Sequence, residues 1–149
     1  MIEEHDLPRL GPDTGVQARP IFSNPSTLPP PPGYSQIVEV SGGRTVYIAG
    51  QVTWDHDGSL VGPGDFEMQV EQVFRNLELA VQAHGGTLAD LIKISTFLTD
   101  ISNLPVWRKV RDRHIPPGPG APTSTLVEVS GLFRPEFLIE MEAIAWLPR

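Results

Sequence analysis

The chain has 149 residues, 40% of them hydrophobic, which suits a single domain with one buried core. It contains no cysteine, which excludes disulfides, thiolate catalysis and cysteine zinc sites. Its net charge of −7 and pI near 4.9 argue against nucleic acid as a partner, because phosphate binding depends on clustered Lys and Arg.

The sequence contains no apolar stretch of membrane-spanning length, so we predict no membrane association. Its opening residues, Met1-Ile-Glu-Glu-His-Asp6, are acidic and lack the apolar centre of a signal peptide. We therefore expect a cytoplasmic location.

The first 33 residues are rich in proline and end in Pro29-Pro-Pro-Pro-Gly33. Because proline favours extended backbone, this segment is interpreted as an extended arm that precedes a single domain at 34–149. Two interpretations of the arm remain open. It is either a disordered tail with a short strand at most around Ile21-Phe22, or a segment that wraps a neighbouring subunit or borders the site.

Two strand-like runs come next, Gln36–Val40 and Thr45–Ala49, and the turn sequence Ser41-Gly-Gly-Arg44 between them predicts a hairpin. Farther on, Asp57-Gly58 predicts a tight turn. The adjacent Asp55, His56 and Asp57 are better explained by a hydrated turn than by a metal site, because neighbouring residues rarely converge on one ion. We predict no metal site.

The next segment predicts a long helix with Asp65 as its N-cap and Gly85-Gly86 as its end. A strand at Leu91–Leu98 and a shorter helix that starts near Pro105 should follow. The predicted apolar stripe of the long helix consists of Phe66, Val70, Val73, Phe74, Leu77 and Val81.

The last two elements, Ala121–Val129 and Leu138–Ala145, alternate like strands. The second places Glu140 and Glu142 on one side, where they are either solvated or part of a site. The order of elements predicts an α+β fold with two helices on one face of a mixed β-sheet.

Several of these motifs together resemble the RidA/YjgF (Rid) family of enamine/imine deaminases, in the family's order and spacing from Tyr34 to the C-terminus. The resemblance implies a chorismate mutase-like (RidA-like) fold, and a homotrimer with a barrel-like centre and small-molecule sites in the clefts between subunits. The matching segments are Tyr34-Ser-Gln36, Ile48-Ala-Gly-Gln51, Gln72, Asn76, Thr99-Asp100, Ala121–Val129 and Leu138–Ala145.

The resemblance also implies a chemistry, the cofactor-free hydrolysis of a reactive enamine or imine to a ketone and ammonia. Glu140 corresponds to the family's water-activating glutamate, Gly50 to a glycine whose backbone approaches the ligand, and Tyr34 to a tyrosine of the cleft. Each residue also has a purely structural interpretation. In that interpretation Glu140 is a solvent-facing or interface strand carboxylate, Gly50 is a bulge at a strand end, and Tyr34 packs over a sheet edge.

One departure bears on the substrate. Where the family has Pro-Ala-Arg-Ser, with an arginine that binds the substrate carboxylate, this chain has Pro122-Thr-Ser-Thr125. Thr123, Ser124 and Thr125 are either a neutral, hydrogen-bonding wall of the site, suited to a larger or uncharged ligand, or simply β-forming residues of a buried strand. The sequence cannot place the arginines that could restore the charge, which are Arg44, Arg108, Arg111 and Arg134.

Two hypotheses result. The first is a Rid-type hydrolase for an enamine, imine or related C=N or C–N small molecule other than the usual small 2-imino acids, with Glu140 activating water. The alternative is a non-catalytic trimer that uses the same cleft to bind or sense a metabolite.

Overall fold

The computed structural model describes residues 18–149, so residues 1–17 of the predicted N-terminal arm lie outside the described residues. Within them the chain forms a four-stranded sheet, a separate two-stranded sheet and two α-helices. The elements are β1 (Ile21–Ser23), β2 (Ile37–Glu39), β3 (Arg44–Gln51), α1 (Phe66–Gln82), β4 (Leu91–Leu98), α2 (Leu104–His114), β5 (Thr123–Glu128) and β6 (Ile139–Leu147).

The larger sheet has the strand order β3-β6-β4-β5. Strand β6 runs antiparallel to both β3 and β4, whereas β4 and β5 are parallel. A parallel pair requires a crossover connection, and α2 supplies it. Both helices contribute to the single core on one face of this sheet, which confirms the predicted α+β fold.

Local hydrogen bonds cap both ends of helix α1. The Asp65 carboxylate accepts a hydrogen bond from the Met68 N–H at 3.1 Å, so the predicted N-cap is confirmed. At the other end Gly85 has a φ of +84°. The Gly86 and Gly85 N–H groups donate to the Val81 and Gln82 carbonyls, the pattern of a Schellman motif. All six residues of the predicted apolar stripe are buried.

The predicted hairpin between residues 36 and 49 is wrong. Strand β2 pairs with β1, and β3 pairs with β6 instead. The chain does bend at Gly42 and Gly43, which both have positive φ, and the Trp146 indole N–H donates to the Gly42 carbonyl at 2.9 Å. A local turn signal indicates the bend correctly, but the partner of each strand is set by more distant segments.

Charged side chains join the two helices on their outer side. Glu67 accepts hydrogen bonds from Lys109 and Arg113, at 3.0 and 3.1 Å. Glu71 is 2.6 Å from both the Arg113 guanidinium and His114 Nε2. None of the described helices is long and apolar enough to cross a membrane.

Gln69 is a buried polar residue of α1 that ties the helix to two loops. Its Nε2 donates to the carbonyls of Gly62 and Glu136 at 3.1 and 3.0 Å, and its Oε1 accepts from the Leu138 N–H at 2.9 Å. The side chain is completely buried. It therefore fixes the loop that leads into β6.

Replacing Gln69 with leucine should lower the free energy of unfolding by at least about 2 kcal/mol, because each buried group left unpaired costs about 1–3 kcal/mol. Urea unfolding of the two proteins measures this loss. Gln82→Leu, at an exposed position of the same helix, is the control and should change stability by less than about 0.5 kcal/mol. Equal losses in both variants would contradict the bracing role of Gln69.

Candidate active site

The face of the sheet opposite the helices carries the two carboxylates of β6. Glu140 and Glu142 lie in register with Phe97 and Ser95 of β4, whereas the intervening Met141 is buried in the core. Alternation along β6 thus sends its apolar side chains under the helices and both glutamates to the open face, as predicted.

Glu140 packs against Gly50 of β3. A Cβ at position 50 would overlap the Glu140 carboxylate, and it would lie 2.9 Å from the carboxyl carbon Cδ and 3.1 Å from Cγ. The register of β3 against β6 also shifts between Ile48 and Gln51, so Gly50 lies in a bulge. The two interpretations of this glycine are therefore compatible. It sits in a bulge, and its missing side chain leaves room for the carboxylate.

The surroundings of Glu140 favour its protonated form. Partial burial raises the pKa of the Glu140 carboxyl above its ordinary value, and the nearby negative charge of Glu142 raises it further. A carboxyl with a raised pKa is better suited to exchange protons near neutral pH than an ordinary glutamate. The direction of this shift therefore favours proton exchange at Glu140.

Tyr34 and Ser124 lie elsewhere, in a cavity of about 260 Å³ between α2 and the start of β5. Ser124 is in register with Ile94, a core residue of β4, so it points to the helix side of the sheet. Tyr34 approaches from the segment that follows the proline run, and Pro32 of that run also lines the cavity. The described end of the arm therefore borders this cavity.

The three hydroxyl residues of β5 do not share one surface. Thr123 donates its hydroxyl to the Ile92 carbonyl at 3.1 Å. Thr125 is exposed on the open face, in register with Ser95 and, beyond it, Glu142. Of the three, Ser124 alone lines the cavity.

The candidate residues thus form two groups at opposite edges of the sheet. Gly50 belongs to edge strand β3, with Glu140 on the adjacent β6, whereas Ser124 belongs to edge strand β5. Glu140 and Ser124 also point to opposite faces. Within one chain, Gly50 and Glu140 lie together, Tyr34 and Ser124 lie together, and the two groups are separate.

The structure shows where the four arginines lie that could restore the missing positive charge. Arg108 and Arg111 line the cavity with Tyr34 and Ser124. Arg44 donates to the His84 carbonyl at 3.3 Å, and the Arg134 guanidinium lies 5.3 Å from the centre of the Trp54 ring. Arg108 and Arg111 reach this cavity because α2 packs beside β5, and the spacing of residues in the sequence does not indicate that tertiary contact.

A second surface feature beside Gly50 was missed from the sequence. Trp54, Phe133 and Phe137 pack edge to face, with ring centres 4.8 to 5.4 Å apart, and Trp54 and Phe133 line a cavity of about 420 Å³ that reaches Gly50. Phe133 is 63% exposed. An aromatic residue in a Gly- and Pro-flanked loop, Gly131-Leu-Phe-Arg-Pro135, is the signal that could have found it.

Gln72 and Asn76 hold the loop that follows Gly50. The Asn76 amide donates to the carbonyls of Val52 and Trp54 at 2.9 and 2.8 Å, and the Gln72 amide donates to Asn76 Oδ1 at 2.9 Å. Asn76 also lines the cavity beside Gly50. These two polar residues of α1 therefore position the backbone next to Glu140.

Comparison with known proteins identifies relatives over most of the chain. A family model described as Endoribonuclease L-PSP matches residues 26–147. A RutC family protein of Pyrococcus abyssi is 32% identical over 126 residues, which cover 85% of this chain and 94% of that protein. A 2-iminobutanoate/2-iminopropanoate deaminase of Dermatophagoides farinae is 30% identical over 90 residues, 60% of this chain and 69% of that protein.

Solved structures show the same fold. A conserved Rid family protein of unknown function from Yersinia pestis has a TM-score of 0.75 and 36% identity, over 86% of this chain and 98% of that chain. RidA from an Antarctic Psychrobacter has a TM-score of 0.64 and 34% identity, over 76% of this chain and 88% of that chain.

The effect of Glu142 on the pKa of Glu140 can be tested by substitution. Glu142→Gln removes the like charge, so the pKa of Glu140 should fall, although it should stay above the ordinary glutamate value because the burial remains. Carbon-13 NMR titration of the carboxyl groups measures the shift. Glu39→Gln, on the exposed surface of β2, removes an equal charge and should leave the pKa of Glu140 unchanged. If the two variants gave the same pKa for Glu140, the electrostatic effect of Glu142 would be disproved.

Proposed function

The chain belongs to the RutC/RidA/YjgF (Rid) family, and from this premise we propose that it hydrolyses a reactive enamine, imine or related C=N or C–N small molecule. Glu140 is the proposed catalytic residue. Tyr34, Gly50, Thr123, Ser124 and Thr125 are the proposed substrate-binding residues. The usual small 2-imino acids are disfavoured, since Ser124 stands where the family has its carboxylate-binding arginine.

The observation that carries the proposal is the contact between Glu140 and Gly50. Hydrolysis of a C=N bond adds water to carbon and delivers a proton to nitrogen. A carboxylate with a raised pKa, beside a backbone that leaves it room, can orient the water, accept its proton and return that proton to the leaving ammonia. It can also stabilise the positive charge of the iminium form. This chemistry needs no cofactor.

A head-to-tail ring of subunits is the proposed assembly. Gly50 and Ser124 belong to opposite edge strands, so a ring in which the β3 edge of one chain meets the β5 edge of the next would unite the two groups at every interface. We propose three subunits, the number that the family resemblance implies. The open face supports this arrangement, since it carries Tyr47, 78% exposed, and Val127, 41% exposed, which an interface would cover.

The name of the family model refers to an endoribonuclease. We propose no nucleic-acid substrate for this chain, since a net charge of −7 opposes phosphate binding. A cytoplasmic location remains part of the proposal.

The catalytic proposal is tested by generating imines from several amino acids with an amino acid oxidase and trapping them with semicarbazide. Wild-type protein should suppress trapping of at least one imine by hydrolysing it first. Glu140→Gln should hydrolyse that imine about 100-fold or more slowly, as expected for a lost general base, and should no longer suppress trapping. The acid side of the pH profile should rise as Glu140 ionises, at a pH above the ordinary glutamate range.

Glu39→Gln is the control for this assay, because it removes an exposed carboxylate from β2, which belongs to a different sheet from β6. It should behave like wild type. If neither wild type nor Glu39→Gln suppresses trapping of any imine, while the protein still binds small molecules, the non-catalytic alternative replaces the proposal.

The assembly is tested by light scattering on the purified protein. Wild type should have three times the chain mass of 16.3 kDa. Tyr47→Glu places a charge on the open face and should dissociate the trimer. Met68→Glu, at a half-exposed methionine of α1 on the other layer, is the control and should remain trimeric. A monomeric wild type would overturn the two-chain site.

A further inference from the structure

The cavity beside Gly50 has the size and lining of a site for an apolar group. Its volume of about 420 Å³ lies within the range of roughly 300–1,000 Å³ that is typical of small-molecule pockets. No arginine or lysine is among the described residues that line it, so it is poorly suited to an anion. Its apolar lining residues are Val52, Trp54, Leu79 and Phe133.

Two polar side chains of this cavity are engaged in holding the loop that follows β3. Asp55 is the one carboxylate among the described lining residues, and its Oδ1 accepts hydrogen bonds from the Asp57 and Ser59 N–H groups, both at 2.9 Å. The Asn76 amide donates to the Trp54 carbonyl at 2.8 Å. These groups fix the shape of the loop, and the apolar side chains are left to face a ligand.

Two large apolar side chains of this cavity are exposed to solvent. Phe133 is 63% exposed and Leu79 is 48% exposed. Single exposed apolar residues are common on protein surfaces, but here two of them line the same concave surface. A ligand that covers both would remove their apolar area from water, which favours binding.

The aromatic wall of the cavity is held in position by its own packing. The Trp54 ring packs edge to face against Phe133 and Phe137, with ring centres 5.4 and 5.3 Å apart, and Phe137 is only 1% exposed. Aromatic rings prefer edge-to-face or offset neighbours at about 4.5–7 Å. A further ring from a ligand therefore extends this cluster in a geometry that its members already adopt.

Gly50 connects this cavity to the proposed catalytic carboxylate. It lines the cavity, and the position of its missing Cβ overlaps the Glu140 carboxylate on the open face. Because β3 is an edge strand, no other strand of the described chain lies beyond it in the sheet. A ligand that lies across Gly50 can place its reacting carbon beside Glu140 and an apolar group in the cavity.

We propose that this cavity binds an aromatic ring carried by the substituent of the C=N carbon, and that Trp54 and Phe133 determine specificity for that ring. The inference rests on the proposed function and deepens it, because it names the substrate class as enamines and imines with an aromatic group. It also agrees with the neutral sequence Thr123-Ser-Thr125, which favours a larger or uncharged ligand.

The first test is equilibrium binding of two uncharged ketones, phenylacetone and butanone, which differ only in a phenyl ring in place of a methyl group. Nitrogen-15 NMR titration follows the Gly50 amide and the three tryptophan indole N–H groups. Phenylacetone should bind wild type at least 10-fold more tightly than butanone. It should shift the resonances of Gly50 and Trp54, and it should leave those of Trp107 and Trp146 in place.

Substitutions in the aromatic wall test which rings are responsible. Phe133→Leu and Trp54→Leu should each reduce the preference for phenylacetone to about 3-fold or less, with the Gly50 amide as the probe in Trp54→Leu. Phe133 is exposed, so its variant should fold even if Trp54→Leu does not. Phe22→Leu is the matched control, because it removes the same ring from β1 of the other sheet, and it should keep the wild-type preference.

The second test compares hydrolysis of the imines that one oxidase forms from phenylalanine and from alanine. Both imines carry the same acid group, so their comparison isolates the side group. Wild type should have a kcat/KM at least 10-fold higher for the phenylalanine imine, and Phe133→Leu should lose most of this difference. Phe22→Leu should retain it.

The outcomes separate the aromatic subsite from the proposed hydrolysis. A phenylacetone preference that depends on Phe133 and persists in Glu140→Gln supports the subsite even if no imine is hydrolysed. Hydrolysis of imines without any preference for the aromatic one, together with equal binding of the two ketones, overturns the subsite and leaves the hydrolase proposal intact. If Phe133→Leu instead lowers the mass of the assembly and leaves the ketone preference unchanged, Phe133 covers a contact between chains, and the subsite is also overturned.

Discussion

Strand β6 imposes the constraint on which the rest of this structure depends. It lies between β3 and β4 and pairs with both along its length, so each of its side chains must serve either the core or the open face. Met141, Ala143 and Ala145 fill the space under the helices, and the residues between them face the other way. A one-residue slip in register would bury Glu140 and Glu142 and expose the core. Core packing therefore fixes the face on which Glu140 lies, and the missing side chain of Gly50 leaves room for its carboxylate.

The features that the sequence predicted well are those with a local cause. Asp65 caps α1 because a carboxylate at that position satisfies an N–H three residues away, and β4 forms as predicted because its residues alternate between the open face and the core from Lys93 to Leu98. The predicted pairing of β2 with β3 was wrong because a turn sequence indicates where the chain bends but does not indicate which strand will pair with it. The cavity that contains Tyr34 and Ser124 was beyond prediction for a similar reason, since Arg111 reaches it only through the packing of α2.

The two halves of the candidate site also differ in how they are stabilised. Gly50 and Glu140 are placed by the backbone, through a bulge in β3 and through the Gln72 and Asn76 amides that hold the following loop. Arg111 and Trp107 are placed by side-chain stacking on one helix. The first group therefore depends on the sheet and its loops, and the second depends on the packing within one helix.

Gly50 and Ser124 lie on opposite edge strands, and this arrangement has a consequence for how the protein would respond to dilution. If each complete site requires two chains, activity per chain falls as the ring dissociates, and the total rate drops more steeply than in proportion to protein concentration. Abundance in the cell would then act as a threshold, below which the chain is folded but inactive. A protein whose site lies within one subunit has no such dependence.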